Sequence, residues 1–230
     1  RKMYRGFSSI ESGMRDRLVE MTSTHEIPAR WRGTPIEHYI QAQNLGYPLH
    51  PSETPQILIS TCIEFRYALP IPAKFAYVIR TAGGRLVGQE FAVAYALTRG
   101  VRNILLIAHD DCGMAKVRNN RPELTKALTD QGWSQEAAAK FVAHHCENDA
   151  IVDELESLET EYHRLKRIFR DVHVAPLFLT LQDKRVHIPK WYHTLINSAE
   201  QQAKPVLQPG CVSDEDLRAC VSSYFRGTAR

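Results

Sequence analysis

Two cysteines and one histidine stand at the ends of two apolar stretches of this chain, and side chains of these types bind zinc. Cys62 follows the run 57–61, and His109 and Cys112 follow the run 103–108. Two thiolates and one imidazole form a ligand set that zinc uses in catalytic sites, where a fourth position is left for water or substrate. We therefore expect Cys62, His109 and Cys112 to bind one Zn²⁺ ion.

The two apolar stretches are predicted to be strands of one parallel sheet. Each is short, rich in Ile and Leu and without polar alternation, which is typical of a strand buried on both faces. Ligands bind at the carboxyl ends of such strands, and a helix predicted over 87–98 would form the crossover between them. The alternative is a core cysteine together with a chance His–Cys pair in a loop. That interpretation does not explain why two strand ends both supply ligands.

Three short motifs around these residues resemble those of the β-class carbonic anhydrases. The chain reads C-I-E-F-R from Cys62, R-T-A-G-G from Arg80 and H-D-D-C-G-M from His109. The family has C-x-D-x-R, R-N-A-G and H-x-x-C-G in the same order, and one branch of it has H-x-D-C-G-M. The resemblance covers residues 53–117 and implies the fold of the family, its zinc site and a homodimer or higher homo-oligomer.

The activity that the resemblance implies is that of a carbonic anhydrase (carbonate dehydratase), a lyase. Such an enzyme hydrates carbon dioxide reversibly to bicarbonate by means of zinc-bound hydroxide. By resemblance, Glu64 and Arg66 are the catalytic residues: the acid orients the nucleophile, and the guanidinium fork holds the acid. A backbone amide near Gly83 is expected to help place the substrate. Phe65, which stands where the family has a small residue, is expected to narrow the substrate pocket.

The sequence departs from the family at two informative positions. Glu64 adds a methylene to the usual Asp, so its carboxylate could reach the zinc and close the site. Glu53 replaces a Gln that donates a hydrogen bond to bicarbonate, and a carboxylate would repel that anion. Two alternatives therefore stay open. One is a related zinc hydrolase acting on carbonyl sulfide or carbon disulfide, which would suit a narrow apolar pocket at Phe65, and the other is a non-catalytic zinc-binding homologue.

Asp111, which lies between the two downstream ligands, has two interpretations. It is expected either to make an outer hydrogen bond at the metal site or to be solvated. The first helices of the chain also have two interpretations. By resemblance they reach across a dimer partner, while the alternative is that they pack on their own sheet.

The composition of the chain favours one α/β domain. The chain has 230 residues, 43% of them hydrophobic, and a formal net charge of +3. We predict a single zinc domain over 1–230, with an N-terminal helical arm (1–50), a core (51–190) and a C-terminal helical extension (191–230). The predicted fold class is a mostly parallel β-sheet flanked by helices, like that of the β-carbonic anhydrases, with extra N- and C-terminal helices.

Charge, hydropathy and cysteine usage limit the other function classes. The basic cluster 116–121 is too small for a nucleic-acid-binding surface. No run of 18 apolar residues predicts a membrane span. Five irregularly spaced cysteines do not indicate a disulfide framework and favour a reducing compartment, which predicts a cytoplasmic protein. A removed leader is left open, because the sequence begins at Arg1.

Periodicity and turn residues predict the remaining elements. Pro176 favours an edge position for its part of the late strand. The predicted helices cover 9–21, 36–43, 124–128, 134–146, 150–170 and 213–224, and the predicted strands cover 75–80, 172–181 and 186–188.

Overall fold

The computed structural model of the protein describes residues 10–203 as alternating strands and helices. The strands are β1 (Leu18–Val19), β2 (Ile57–Cys62), β3 (Ala76–Thr81), β4 (Asn103–His109), β5 (His173–Thr180) and β6 (Arg185–Pro189). The helices are α1 (Ile10–Arg15), α2 (Pro35–Leu45), α3 (Glu90–Thr98), α4 (Gly113–Lys116), α5 (Arg121–Thr129), α6 (Gln135–Asn148), α7 (Glu154–Ile168) and α8 (Lys190–Ala203).

Within the described residues the strands form one six-stranded sheet in the order β1-β6-β5-β4-β2-β3. Strands β3, β2, β4 and β5 pair in parallel, whereas β6 and β1 add antiparallel partners at one side. Helices flank the sheet. The predicted α/β fold class with a mostly parallel sheet is therefore confirmed.

The neighbouring interior strands β2 and β4 have the burial that their composition predicts. Every residue of β2 is buried, and so are the central residues of β4. The register pairs Thr61 with Ile107, so the carboxyl ends of β2 and β4 lie side by side. The segments that follow these strands therefore start next to each other at one edge of the sheet.

The predicted helix over 9–21 is wrong in its second half. Helix α1 ends at Arg15, and Leu18 pairs with Pro189 and Val19 with Ile188 of β6. Leu18 is buried in this strand, so it reaches the core without continuing the helix. Pairing with a distant strand overrides the local helical spacing.

The other predicted elements that fall within the described residues are present with shifted ends. Helix α2 ends before Gly46. This glycine has φ 71°, the left-handed conformation that commonly follows the last residue of a helix. Ser134 caps α6 by accepting a hydrogen bond from Ala137 N. Pro176 lies where β5 pairs with β4 but not with β6. One side of this part of β5 therefore has no strand partner in the described sheet, as the predicted edge position requires.

Helix α7 begins later than its apolar stripe predicts. Asp153 caps it by accepting from Glu156 N, and Asp153 also forms an ion pair with Arg17 at 2.6 Å. Residues 150–153 are consequently a loop, and this loop brings Ile151 against the end of β2.

The contacts of the chain divide it into two units. The first extends to His193 and the second starts at Thr194, inside α8. The predicted single domain stays a prediction, and the predicted helix 213–224 lies outside the described residues. Among the described helices, none is both long and apolar enough to cross a membrane.

Candidate metal centre

The ends of β2 and β4 bring Cys62, His109 and Cys112 into one cluster. The two sulfur atoms are 3.9 Å apart, and the three ligand atoms lie within 4.8 Å of one another. All three side chains are buried. Across the part of the chain that the structure describes, no other group of three His, Cys, Asp or Glu side chains lies close enough to hold an ion.

The cluster fits the donor set of a tetrahedral zinc ion. A Zn–S bond of about 2.3 Å and tetrahedral angles require sulfur atoms about 3.8 Å apart, and the observed separation is 3.9 Å. The Nδ1 atom of His109 lies 2.7 Å from the carbonyl oxygen of Asp110, so Nδ1 carries the proton. The buried Nε2 atom then presents a lone pair and has no hydrogen-bond partner in the part of the chain that the structure describes. An orphaned imidazole nitrogen beside two thiols is what a bound cation would satisfy.

Backbone amides support the thiols. The amide of Gly83 faces the sulfur of Cys62, and the amide of Met114 faces the sulfur of Cys112. The pKa of Cys62 lies well below its usual value because the Cys112 thiol and the His109 ring face its sulfur. The Cys62 sulfur and burial raise the pKa of Cys112. A bound cation would release the second proton, because metal ligation requires both thiolates.

The glycine pair between β3 and α3 fixes the backbone beneath Cys62. Gly84 has φ 72°, and a Cβ atom at this residue would lie 3.2 Å from the nitrogen of Cys62 and 3.3 Å from the carbonyl carbon of Thr61. Gly83 has φ 77°, but its nearest neighbours are side-chain atoms at 3.6 Å or more. A side chain at position 84 would therefore be strained at this φ angle and would require the end of β2 to shift by a few tenths of an ångström. The amide of Gly83 faces the sulfur of Cys62, and its expected contact with substrate stays a prediction.

Glu64 and Arg66 form the ion pair that the resemblance implies. The guanidinium donates to both carboxylate oxygens of Glu64, at 2.8 and 2.6 Å, and the amide of Arg66 adds a bond of 2.7 Å. These bonds lower the pKa of Glu64 to about 2. In the described chain the carboxylate of Glu64 is not among the groups within 4.8 Å of all three ligand atoms.

Asp111 also binds Arg66. Its carboxylate accepts from Arg66 Nη1 at 2.7 Å, and its carbonyl oxygen accepts from Nη2 at 3.0 Å. Lys116 pairs with the second carboxylate oxygen of Asp111. The structure agrees with the first interpretation, in which Asp111 makes a hydrogen bond at the metal site. Its partner is the side chain of Arg66 on the neighbouring loop.

Tyr67 and Arg80 lie next to the cluster, although the family resemblance assigns neither of them a role. The ring of Tyr67 lies 6.3 Å from the ring of His109, and its hydroxyl group bonds the hydroxyl group of Thr61. Arg80 lies over the Tyr67 ring at 5.7 Å and donates to the carbonyl oxygens of Cys62 and Glu64. Arg80 therefore fixes the segment that carries the first ligand. The R-T-A-G-G motif was a signal for Arg80, whereas nothing in the sequence singled out Tyr67.

An apolar wall covers the thiols. Ile151 is buried against Cys62 and Cys112, and Met114 packs beside them. Glu154, at the start of α7, accepts a hydrogen bond from the amide of Cys112 at 3.2 Å. No sequence signal indicated Ile151 or Glu154, because their segment is about 40 residues away from the nearest ligand.

Two predicted site residues have exposed side chains. Phe65 is 90% exposed, so in the described single chain it does not close a narrow pocket. The Glu53 side chain is 98% exposed and pairs with Lys74, at 3.9 Å. Their roles in substrate binding stay predictions.

Comparisons with known proteins give structural likeness alone. No protein-family model matches the sequence, and no curated protein matches it. A β-carbonic anhydrase, isoform I, from the protozoan Trichomonas vaginalis has a similar structure with a TM-score of 0.51, 18% identity, and coverage of 64% of this chain and 91% of that one. This likeness shows a shared fold.

Two further solved structures have lower scores. A carbonic anhydrase from Glaciozyma antarctica has a TM-score of 0.49 and 18% identity, and the match covers 71% of this chain and 99% of that one. The apo form of a carbon disulfide hydrolase has a TM-score of 0.47 and 19% identity, covering 77% and 94% of the two chains.

Proposed function

We propose that this chain is a zinc-dependent lyase of the β-carbonic anhydrase type, which hydrates carbon dioxide reversibly to bicarbonate. The observation that carries the proposal is the buried cluster of Cys62, His109 and Cys112, with its unpartnered imidazole nitrogen and a sulfur separation suited to zinc. The motifs around the cluster and the fold shared with a β-carbonic anhydrase support it.

The chemistry divides between the ion and the chain. Zinc held by the three ligands would act as a Lewis acid that makes water nucleophilic near neutral pH. Glu64 would accept the hydrogen bond that orients the nucleophile. Because Arg66 keeps the pKa of Glu64 near 2, this carboxylate stays an acceptor throughout the neutral range. Ile151 and Met114 would keep bulk water from one side of the site.

The closed-site alternative requires Glu64 to ligate the metal. Both oxygens of its carboxylate are engaged by Arg66, at 2.8 and 2.6 Å, which favours an open fourth position. The second candidate function is hydrolysis of carbonyl sulfide or carbon disulfide. The apolar wall of Ile151 and Met114 favours uncharged linear substrates of this kind as well as carbon dioxide.

A homodimer or higher homo-oligomer is part of the proposal. Among the described residues, strand β3 forms an unpaired edge of the sheet, and Tyr77 on it contacts Tyr95 of α3. Large apolar side chains are exposed nearby in sequence, and exposed apolar patches mark interaction surfaces. These side chains are Ile63 (63% exposed), Phe65 (90%), Val87 (58%) and Phe91 (87%). The free thiols of Cys62, Cys112 and Cys146 support a reducing, cytoplasmic compartment.

The test is stopped-flow hydration of carbon dioxide by zinc-loaded protein between about pH 7 and 9, where water bound to zinc ionises. Turnover by the wild type, its loss together with zinc in Cys62→Ser, and its retention in Cys146→Ser would support the proposal. Cys146 is the matched control because it is a buried free cysteine outside the cluster. One zinc per chain without turnover would overturn the anhydrase assignment, and carbonyl sulfide and carbon disulfide would then be tested.

A further inference from the structure

Arg66 connects the two segments that carry the metal ligands. On one side it holds Glu64, two residues after Cys62. On the other side it holds both the carboxylate and the carbonyl oxygen of Asp111, which lies between His109 and Cys112. These bonds use at least four of the five N–H donors of a guanidinium group. The position of Arg66, and with it that of Glu64, therefore depends on Asp111.

The backbone of Asp111 is shaped for this contact. Asp111 has φ 50°, a left-handed conformation that few residues other than Gly, Asn and Asp adopt readily. This turn directs the carbonyl oxygen and the carboxylate of Asp111 to the same guanidinium group. Lys116 binds the remaining carboxylate oxygen, so the charges alternate from Glu64 through Arg66 and Asp111 to Lys116.

We propose that Asp111 is a positioning residue of the metal centre, which anchors Arg66 so that Glu64 is kept off the metal and the fourth ligand position stays open. The inference rests on the proposed zinc site and adds the contact that keeps its fourth ligand position open. Without the anchor, Arg66 loses its hold on the second ligand segment and can turn away. Glu64, two residues from Cys62 and 6% exposed, then becomes free to ligate the metal.

The anion affinity of the cobalt-substituted protein tests this proposal without measuring turnover. Thiocyanate is titrated into the Co²⁺ form of the full chain at fixed pH, and the change of the visible cobalt bands gives the dissociation constant. Asp111→Gly removes the side chain and accepts the positive φ angle. We expect it to bind thiocyanate about tenfold more weakly than the wild type, which corresponds to about 1.4 kcal/mol.

The sign of the change separates this mechanism from simple electrostatics. Removal of a negative charge near the site would by itself strengthen anion binding, so weaker binding reports ligation by Glu64. The double variant Asp111→Gly, Glu64→Gln is expected to recover at least wild-type affinity. Asp111→Asn, which also tolerates the backbone angle, should shift the affinity in the same direction as Asp111→Gly. Lys184→Gly is the matched control, because Lys184 has φ 58° away from the cluster.

Each outcome of the thiocyanate titrations supports or overturns either the positioning role of Asp111 or the open metal site. Unchanged or tighter thiocyanate binding in both single variants at Asp111 would overturn the positioning role, and so would a double variant that stays weak. If the wild-type cobalt protein lacks thiolate-to-cobalt charge-transfer bands, or does not respond to thiocyanate at all, the proposed open metal site itself fails. The two failures are therefore distinguishable in one titration series.

Discussion

Replacing Gly84 by alanine should destabilise the protein and disturb the metal site together. The added Cβ atom would lie 3.2 Å from the nitrogen of Cys62 and 3.3 Å from the carbonyl carbon of Thr61. Both are backbone atoms of a central strand, and non-bonded carbon contacts are favourable only at about 3.5–4.0 Å. The strand end must therefore shift, and Cys62 shifts with it.

The magnitude follows from two contributions. A positive φ angle costs an alanine about 1 kcal/mol, and overpacking of a well-packed core costs about 2 kcal/mol more. Gly84→Ala should therefore lower the free energy of unfolding by about 3 kcal/mol, which for a chain of this size is a fall of about 9 °C in melting temperature. Gly88→Ala is the matched control, because Gly88 has φ 76° and no atom of the described residues lies within 4 Å of the added Cβ atom. It should lose about 1 kcal/mol.

Urea unfolding of the metal-free variants measures the first effect, and competition with a chromophoric chelator measures zinc affinity. Gly84→Ala should lose affinity for zinc, whereas Gly88→Ala should bind it like the wild type. Equal destabilisation by the two substitutions, or unchanged zinc affinity in Gly84→Ala, would refute the argument that position 84 holds the backbone of Cys62 in place.

Three further predictions concern the dyad, the core and acid stability. Glu64→Gln should lower kcat for carbon dioxide hydration about a hundredfold with zinc content unchanged, and loss of zinc would instead identify Glu64 as a ligand. Arg164→Met should destabilise the protein by about 3 kcal/mol in urea unfolding, because it leaves Glu161 buried without its ion pair, whereas Lys140→Met, at an exposed pair, should change little. Burial lowers the pKa of His173 to about 4, so the unfolded chain takes up its proton first and stability falls as the pH drops from about 6.5 to 4. His173→Gln should show a shallower fall over that range, and an identical profile would contradict this assignment.

The sheet and the cluster could be predicted from short segments. The apolar runs before Cys62 and His109 are buried strands because their composition leaves no polar face. Parallel strands align their carboxyl ends, so the ligands after them had to approach each other. The Glu64–Arg66 pair is equally local, since the two residues are separated by only one position in the chain.

The rest of the site depends on contacts between distant segments, which local patterns do not encode. Ile151 and Glu154 reach the cluster because the chain returns from α6 and places a loop against the end of β2. The first strand was predicted as helix because its partner, β6, is about 170 residues away. Phe65 was expected at a pocket from its position in a motif. Its side chain is exposed in the described single chain, so this role stays a prediction.

X-ray absorption at the zinc edge of the purified, zinc-loaded protein tests the central claim most directly. A single zinc held by Cys62, His109 and Cys112 predicts two sulfur neighbours at about 2.3 Å and two nitrogen or oxygen neighbours at about 2.0 Å, one of them an imidazole. One zinc per chain with this shell would agree with the proposed centre. A zinc ion without sulfur neighbours, or with one, three or four of them, would contradict it.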